Sequence, residues 1–213
     1  VKGRLAIVVV AALAGGTFFT LRRPGPEPKW DVASKDPALL SRAWAAAAFP
    51  NPIVSQSNPS ACGPTSVANV LRSTGSAQAT SDEVAQKGAG CVFGFCLGGL
   101  TLDQLAVTSE DPRWHVTVLR DLTLDQFREE LRHVSDPKRR YVINFHRGPL
   151  FGAGGGHHSP VGAYLEPDDL VFVLDVNSRY GPWVAKADKL FAAMDTVDSS
   201  TGKKRGLLRF ELH

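Results

Sequence analysis

One cysteine in this chain sits where a thiol can become a nucleophile. Cys62 lies in the run Gln56-Ser57-Asn58-Pro59-Ser60-Ala61-Cys62-Gly63-Pro64-Thr65-Ser66. Val67, Val70 and Leu71 follow it at helical spacing, which puts the cysteine at the start of a helix with one buried face. Gly63 and Pro64 suit a first turn, whose N–H groups have no intrahelical partner. A thiol there meets the positive end of the helix dipole, which favours thiolate. Gln56 lies upstream, on a loop able to fold its amide beside the sulfur. A nucleophile, a helix end and an amide donor are the parts of an acyl-transfer site. For Cys-Gly-Pro alone, the competing reading is a small buried cysteine that packs a helix. A histidine and an orienting carboxylate downstream would decide between them.

Both occur. Histidines stand at positions 115, 133, 146, 157, 158 and 213, and two of them share Gly156-His157-His158-Ser159-Pro160, where a glycine loop enters a strand. Strand alternation turns His157 and His158 to opposite faces, so one of the two is expected to reach Cys62. Asp175 lies in Leu170-Val171-Phe172-Val173-Leu174-Asp175-Val176. A carboxylate in so apolar a run needs a partner. If the two strands pair as an antiparallel hairpin, Asp175 comes near the start of the histidine strand. There it could hold an imidazole in one tautomer and stabilise its cation. The competing reading for Asp175 is a strand-end carboxylate that binds backbone or water.

These residues need elements to hold them. The spacing predicts helices over 37–48, from Cys62 to about Ser73, after a capping box at Thr80-Ser81-Asp82-Glu83, from Thr101 to about 107, and over 123–133. Strands are expected at 115–119, 141–146, 158–165, 170–176 and 207–212, with a further helix over 183–194. Helices first and adjacent strands later give an α+β fold of two segregated layers.

Composition limits the function classes. Of 213 residues, 43% are hydrophobic and 21% charged, as in a globular domain. The net charge of +3 is too slight to argue for nucleic acid, and no basic stripe interleaved with aromatics appears. Lys138-Arg139-Arg140 and Lys203-Lys204-Arg205 read as solvated loop charges. Three cysteines, with no CxxC or HExxH pattern, leave no structural zinc site in view. The basic start and apolar run over 1–22 read as a signal peptide or an N-terminal membrane anchor, and imply an exported, periplasmic or periplasm-facing protein. Residues 23–37 read as a proline-rich linker and 38–213 as one catalytic domain. In an oxidising compartment Cys91 and Cys96 could bridge; two free thiols are the equal alternative.

Taken in order, the motifs resemble the catalytic domain of phytochelatin synthases over roughly residues 38–212. Gln-Ser-x-Pro-x-x-Cys-Gly at 56–63 resembles that family's catalytic segment. So do His146-Arg147-Gly148 with Gly-His-x-Ser-Pro at 156–160, and Leu174-Asp175-Val176 with Pro182-Trp183-Val184. The resemblance implies a papain-like cysteine-peptidase fold, with the cysteine helix packed on an antiparallel sheet. It implies cleavage of glycine from glutathione through a γ-glutamylcysteinyl thioester, passed on to water or to a second glutathione. Carried over by motif, Cys62 is the nucleophile, His157 the general base, Asp175 its orienting group and Gln56 the oxyanion-hole donor. Arg147, Arg179, Gly156 and Ser159 are expected at the substrate. Arg179 matches only approximately, because the segment after Asp175 is shorter than in the family. No cofactor is expected for hydrolysis. Cadmium, zinc or copper would enter as thiolate complexes of glutathione, and the reading leaves a homodimer open. The chain stops just after the matched region, without a cysteine-rich C-terminal segment, so hydrolysis is expected to dominate over polymerisation. Two other readings stand beside this one: a C39-like papain-fold peptidase cutting another glycine-containing peptide, and a non-catalytic thiol or metal-binding protein using Cys91, Cys96 and the paired histidines.

Overall fold

A computed structural model describes residues 26–88, 90–92 and 94–213. The apolar segment read as a signal or anchor lies outside the described residues. The elements run β1 (Ala33–Ser34), α1 (Pro37–Ala46), α2 (Cys62–Ser73), α3 (Ser81–Gln86), β2 (Cys91–Val92), β3 (Phe95–Cys96) and α4 (Leu102–Thr108). They continue with β4 (Trp114–Leu119), α5 (Leu124–Arg132), β5 (Arg139–His146), α6 (Gly148–Phe151), β6 (Gly156–Leu165), β7 (Leu170–Val173), β8 (Trp183–Lys186), α7 (Ala187–Met194) and β9 (Leu207–Leu212). Capping boxes start α3, α4 and α5: Thr80, Thr101 and Thr123 each accept from the backbone three residues on, and Glu83, Gln104 and Gln126 return the bond.

Seven strands form one antiparallel sheet in the order β1-β8-β7-β6-β5-β9-β4. The central strands are largely buried on both faces, and β7, Leu-Val-Phe-Val, is apolar throughout. On one face, Val67, Val70 and Leu71 of α2 pack with Ala43 of α1, Leu105 of α4 and Val142, Phe172 and Leu208 of the sheet. On the other, Phe127 and Leu131 of α5 and Leu190 and Ala193 of α7 pack on Ile143, Phe145, Val173 and Trp183. The helices therefore cover both faces, and the fold has three layers where the order of elements suggested two. The α+β assignment holds, as does the packing of the cysteine helix on an antiparallel sheet.

Two boundaries differ from the sequence reading, and one open alternative is decided. The linker ends earlier than residue 37: the Lys29 backbone N–H donates to the Phe151 carbonyl at 3.1 Å, Trp30 packs edge-on against Phe151, and Ala33–Ser34 pairs with β8. Residues 183–194 begin as a strand and become helical only at Ala187; the apolar helical spacing of 187–194 masked a short strand too brief to show alternation. Cys91 and Cys96 are bridged across the β2–β3 hairpin.

Candidate active site

Cys62 is the first residue of α2, and its side chain is buried at the helix tip. No side chain caps this end, so first-turn N–H groups stay open beside the sulfur. The helix is tied to the sheet by Ser66, whose Oγ donates to the carbonyls of Cys62 (2.7 Å) and of His158 on β6 (3.1 Å). The loop before it is pinned at several points. The Asn69 amide exchanges two bonds of 2.9 Å with the Val54 backbone, and the Gln56 N–H donates to Val176 at 2.7 Å. Asn58 Nδ2 donates to Gly94 of the bridged hairpin, and the Cys96 N–H donates to Ser60 Oγ. The hairpin thus braces the loop that delivers the cysteine.

His157 lies at the second residue of β6 and bonds Asp175 through Nε2, with Oδ1 at 3.0 Å. Nδ1 is then the nitrogen left for the thiol. Asp175 is buried and carries four further bonds. Arg147 donates from Nη2 to both oxygens at 2.7 and 2.9 Å, the Asn177 N–H donates at 2.9 Å and Trp183 Nε1 at 3.2 Å. Burial would raise its pKa, but His157, Arg147 and the Asn177 N–H outweigh burial and hold it at about 2. Burial likewise opposes a charged His157, and Arg147 opposes it too, yet Asp175 and the Cys62 sulfur pull its pKa upward. For Cys62, burial pushes up while the charge and hydrogen bonds of His157 and His158 push down further, and the thiol ends well below its usual range. The directions of these shifts favour a thiolate–imidazolium–carboxylate row, an arrangement able to attack an acyl carbon and protonate a leaving amine.

His158 does not face away. In register with Asn144 it lies on the α2 side of the sheet, and its Nδ1 stands 3.9 Å from Cys62 Sγ. His157 pairs with Phe145 on the other face, but the cysteine sits at the end of the sheet and both imidazoles act on it. The expectation that only one could do so is corrected by this placement. A cavity of about 190 Å³ opens over the sulfur, with Asn144, His158, Gly156, Asp198 and Arg205 in its wall.

The other expected site residues are distributed differently. Gln56 Nε2 donates to the Asn58 carbonyl at 2.8 Å, and its Oε1 is buried without a partner, so in this arrangement its amide is not offered to the sulfur. Arg147 is buried and committed to Asp175, with its guanidinium 4.0 Å from the Tyr180 ring centroid; in this arrangement it positions the carboxylate. Arg179 donates to the Pro26 carbonyl and to Glu27 at the surface. Ser159 is fully buried and cannot contact a ligand, because β6 is covered on both faces. Gly156 does line the cavity, and a Cβ there would stand 2.8 Å from Arg205 Nη2. The sequence reading missed Asn144, Asp198 and Arg205. Asn144 had a signal, a lone amide in the apolar strand Tyr-Val-Ile-Asn-Phe. Arg205, taken for a solvated loop charge, is 6% exposed and donates to the Val197 carbonyl. Arg140 is buried too, against Ser73.

A model of the phytochelatin synthase family matches residues 95–207, just over half of the chain. The chain belongs to that family. The match holds His157 and Asp175 and begins after Cys62, which the fold carries to them. Among curated proteins, glutathione gamma-glutamylcysteinyltransferase 3 of Lotus japonicus is 32% identical over 114 residues, 52% of this chain and 24% of that protein. Glutathione gamma-glutamylcysteinyltransferase 1 of Arabidopsis thaliana is 36% identical over 88 residues, 40% of this chain and 18% of that one. The matched stretch spans about a quarter or less of these relatives. Among solved structures, the peptidase domain of Streptococcus ComA, a bifunctional ABC transporter of a quorum-sensing pathway, superposes with a TM-score of 0.52. It covers 75% of this chain and 97% of the ComA domain at 13% identity, a likeness of fold: the papain-like cysteine-peptidase architecture of this phytochelatin synthase family member.

Proposed function

We propose that this chain is a glutathione γ-glutamylcysteinyltransferase that works mainly as a hydrolase, releasing glycine from glutathione. The observation that carries the reading is the row Cys62–His157–Asp175, with the carboxylate held ionised by His157, Arg147 and the Asn177 N–H. The Cys62 thiolate attacks the carbonyl of the cysteinyl–glycine bond. The oxyanion forms beside the open N–H groups of the α2 tip. The carbon–nitrogen bond then breaks, the glycine amine takes the proton of the His157 imidazolium, and a γ-glutamylcysteinyl thioester remains on Cys62. Neutral His157 next takes a proton from water, whose oxygen attacks the thioester. The C–S bond breaks, γ-glutamylcysteine leaves, and the ion pair is restored. If a second glutathione amine takes the place of water, the product is a γ-glutamylcysteine dimer carrying glycine. Gln56 joins the oxyanion site only by leaving Asn58, a rotation that substrate would have to induce.

Glutathione complexed through its thiol to cadmium, zinc or copper is proposed as an alternative form of the substrate, with the metal carried by the ligand. An exported location is proposed on the N-terminal apolar run together with the Cys91–Cys96 bridge, since such bridges persist in oxidising compartments. The test is mass analysis of products at millimolar glutathione, with and without cadmium. Free γ-glutamylcysteine in excess over oligomers is expected; oligomers in excess would make the protein a synthase, and no glycine release would end the reading.

A further inference from the structure

His158 is the one strong feature of the site that the three-residue mechanism does not use. Its Nδ1 lies 3.9 Å from Cys62 Sγ, within the range of a sulfur hydrogen bond. The ring is buried and its other nitrogen is engaged: Asn144 Nδ2 stands 2.9 Å from Nε2, against 3.4 Å from Nδ1. An amide N–H only donates, so Nε2 is the acceptor of that pair. With Nε2 accepting, the tautomer of the uncharged ring carries its proton on Nδ1, the nitrogen that faces the sulfur, and a charged ring donates from Nδ1 as well. Asn144 is held in turn, because its Nδ2 also lies 3.4 Å from the His157 carbonyl and the residue is buried in the register pair Asn144–His158.

We propose that His158 is a second imidazole on the nucleophile: a hydrogen-bond donor from Nδ1 to the Cys62 thiolate, with its tautomer set by Asn144. The two imidazoles then have separate duties. His157, backed by Asp175, carries the proton that the leaving amine takes. His158 keeps a donor on the sulfur when that proton is gone. At that stage Cys62 must either remain an acyl thioester or leave as thiolate, and a donor that is not consumed favours departure of the sulfur during deacylation. In this chemistry His158 touches the reacting atom, and Asn144 positions it.

The charged and titratable groups around the pair are few. His157 lies beside the sulfur, with Asp175 and Arg147 behind it. Asp198 and Arg205 lie in the cavity wall shared by Cys62 and His158. Both are present in every variant below, so the comparison isolates His158.

The inference rests on Cys62 as the nucleophile, but its test needs no turnover. Cys91 and Cys96 are bridged and Cys62 is the remaining cysteine of three, so iodoacetamide reports on one thiol. The alkylation rate of the unreduced full chain is measured against pH for wild type, His158→Phe, His158→Asn and Asn144→Ala. Phe fills the imidazole space without a donor. Asn restores an N–H donor of similar reach. With His158 as donor, the Phe variant shifts the titration midpoint of Cys62 upward by about 0.5–1 unit, a loss of roughly 3- to 10-fold in thiolate below the midpoint. The Asn variant returns most of the shift, and Asn144→Ala moves the midpoint in the Phe direction by freeing the ring. An unchanged midpoint in the Phe variant, with melting and circular dichroism like wild type, overturns the proposal. So does a shift that Asn fails to restore. Should His158→Phe unfold the chain, the decision passes to Asn144→Ala, where an unchanged midpoint counts against it equally. Glycine release from glutathione by wild type is measured separately. Its absence with the His158 effect intact would defeat the substrate assignment and leave the second donor standing.

Discussion

At the scale of single residues, the row is an ion pair, and its pH dependence follows from the directions of the shifts. Cys62 is lowered and His157 raised, so thiolate and imidazolium coexist from the depressed thiol pKa up to the elevated imidazole pKa. Activity in acylation should rise through the first and fall through the second, with a broad plateau between. Asp175→Asn removes the charge that raises His157. The alkaline limb of kcat/KM should then move to lower pH, the acid limb to higher pH, and the maximum should drop by about 10²-fold or more. An alkaline limb that stays in place would show that another group sets it. Much of this row was legible. Cys62 had a helix start, His157 a glycine loop, and Asp175 an apolar strand in which no unpartnered carboxylate is stable. The partners were not. Arg147 was legible only as a cation near the site, and nothing in its neighbours tells that its guanidinium turns inward to a carboxylate 28 positions away. His158 was misjudged because alternation fixes the face of a strand, whereas the thiol stands at the strand's end, where both faces are within reach.

At the scale of elements, the glycine loop between α6 and β6 does more than connect. Gly154 adopts φ +97°, and a Cβ there would stand 2.9 Å from Arg147 Cβ. The loop also binds Arg147 through its backbone, since the Arg147 N–H donates to the Gly155 carbonyl at 3.0 Å. Gly154→Ala should therefore cost about 1–2 kcal/mol for the backbone and also displace Arg147 from Asp175. Gly75 is the control. It has φ +101° with open space around its Cβ position, and it follows α2 at the end away from Cys62. Thermal melts should show a loss for both alanine variants, larger for Gly154→Ala because it also disturbs the buried Arg147–Asp175 pair, while kcat should fall only for Gly154→Ala. Equal activity in the two would mean that the loop's glycines serve the turn alone. Element types were mostly legible, because periodic apolar residues and capping threonines mark helices that later pack as marked. The exception, β8, is four residues long and runs straight into α7. Its strand character comes from pairing with β7 and β1, a tertiary cause that local sequence does not carry.

At the scale of the whole molecule, the site is assembled from parts far apart in sequence. The α2 tip brings the sulfur, β6 both imidazoles, the segment after β7 the carboxylate, and the residues after β5 the arginine. The bridged hairpin braces the cysteine loop from outside the main sheet. The two-layer expectation failed because helices α5 and α7 come later in the chain, interleaved with strands, and antiparallel neighbours let them fold to the second face. No count of elements in order shows which face a helix takes. What the assembly is for comes down to one covalent bond. The decisive measurement is intact-protein and peptide mass analysis of the chain mixed rapidly with glutathione, alongside Cys62→Ser. The account predicts a γ-glutamylcysteinyl adduct on the Cys62 peptide of wild type, with glycine released. It predicts no such adduct in the serine variant, whose glycine release should fall below about one thousandth of wild type. Glycine release retained by Cys62→Ser, or an adduct on any residue other than Cys62, would contradict it.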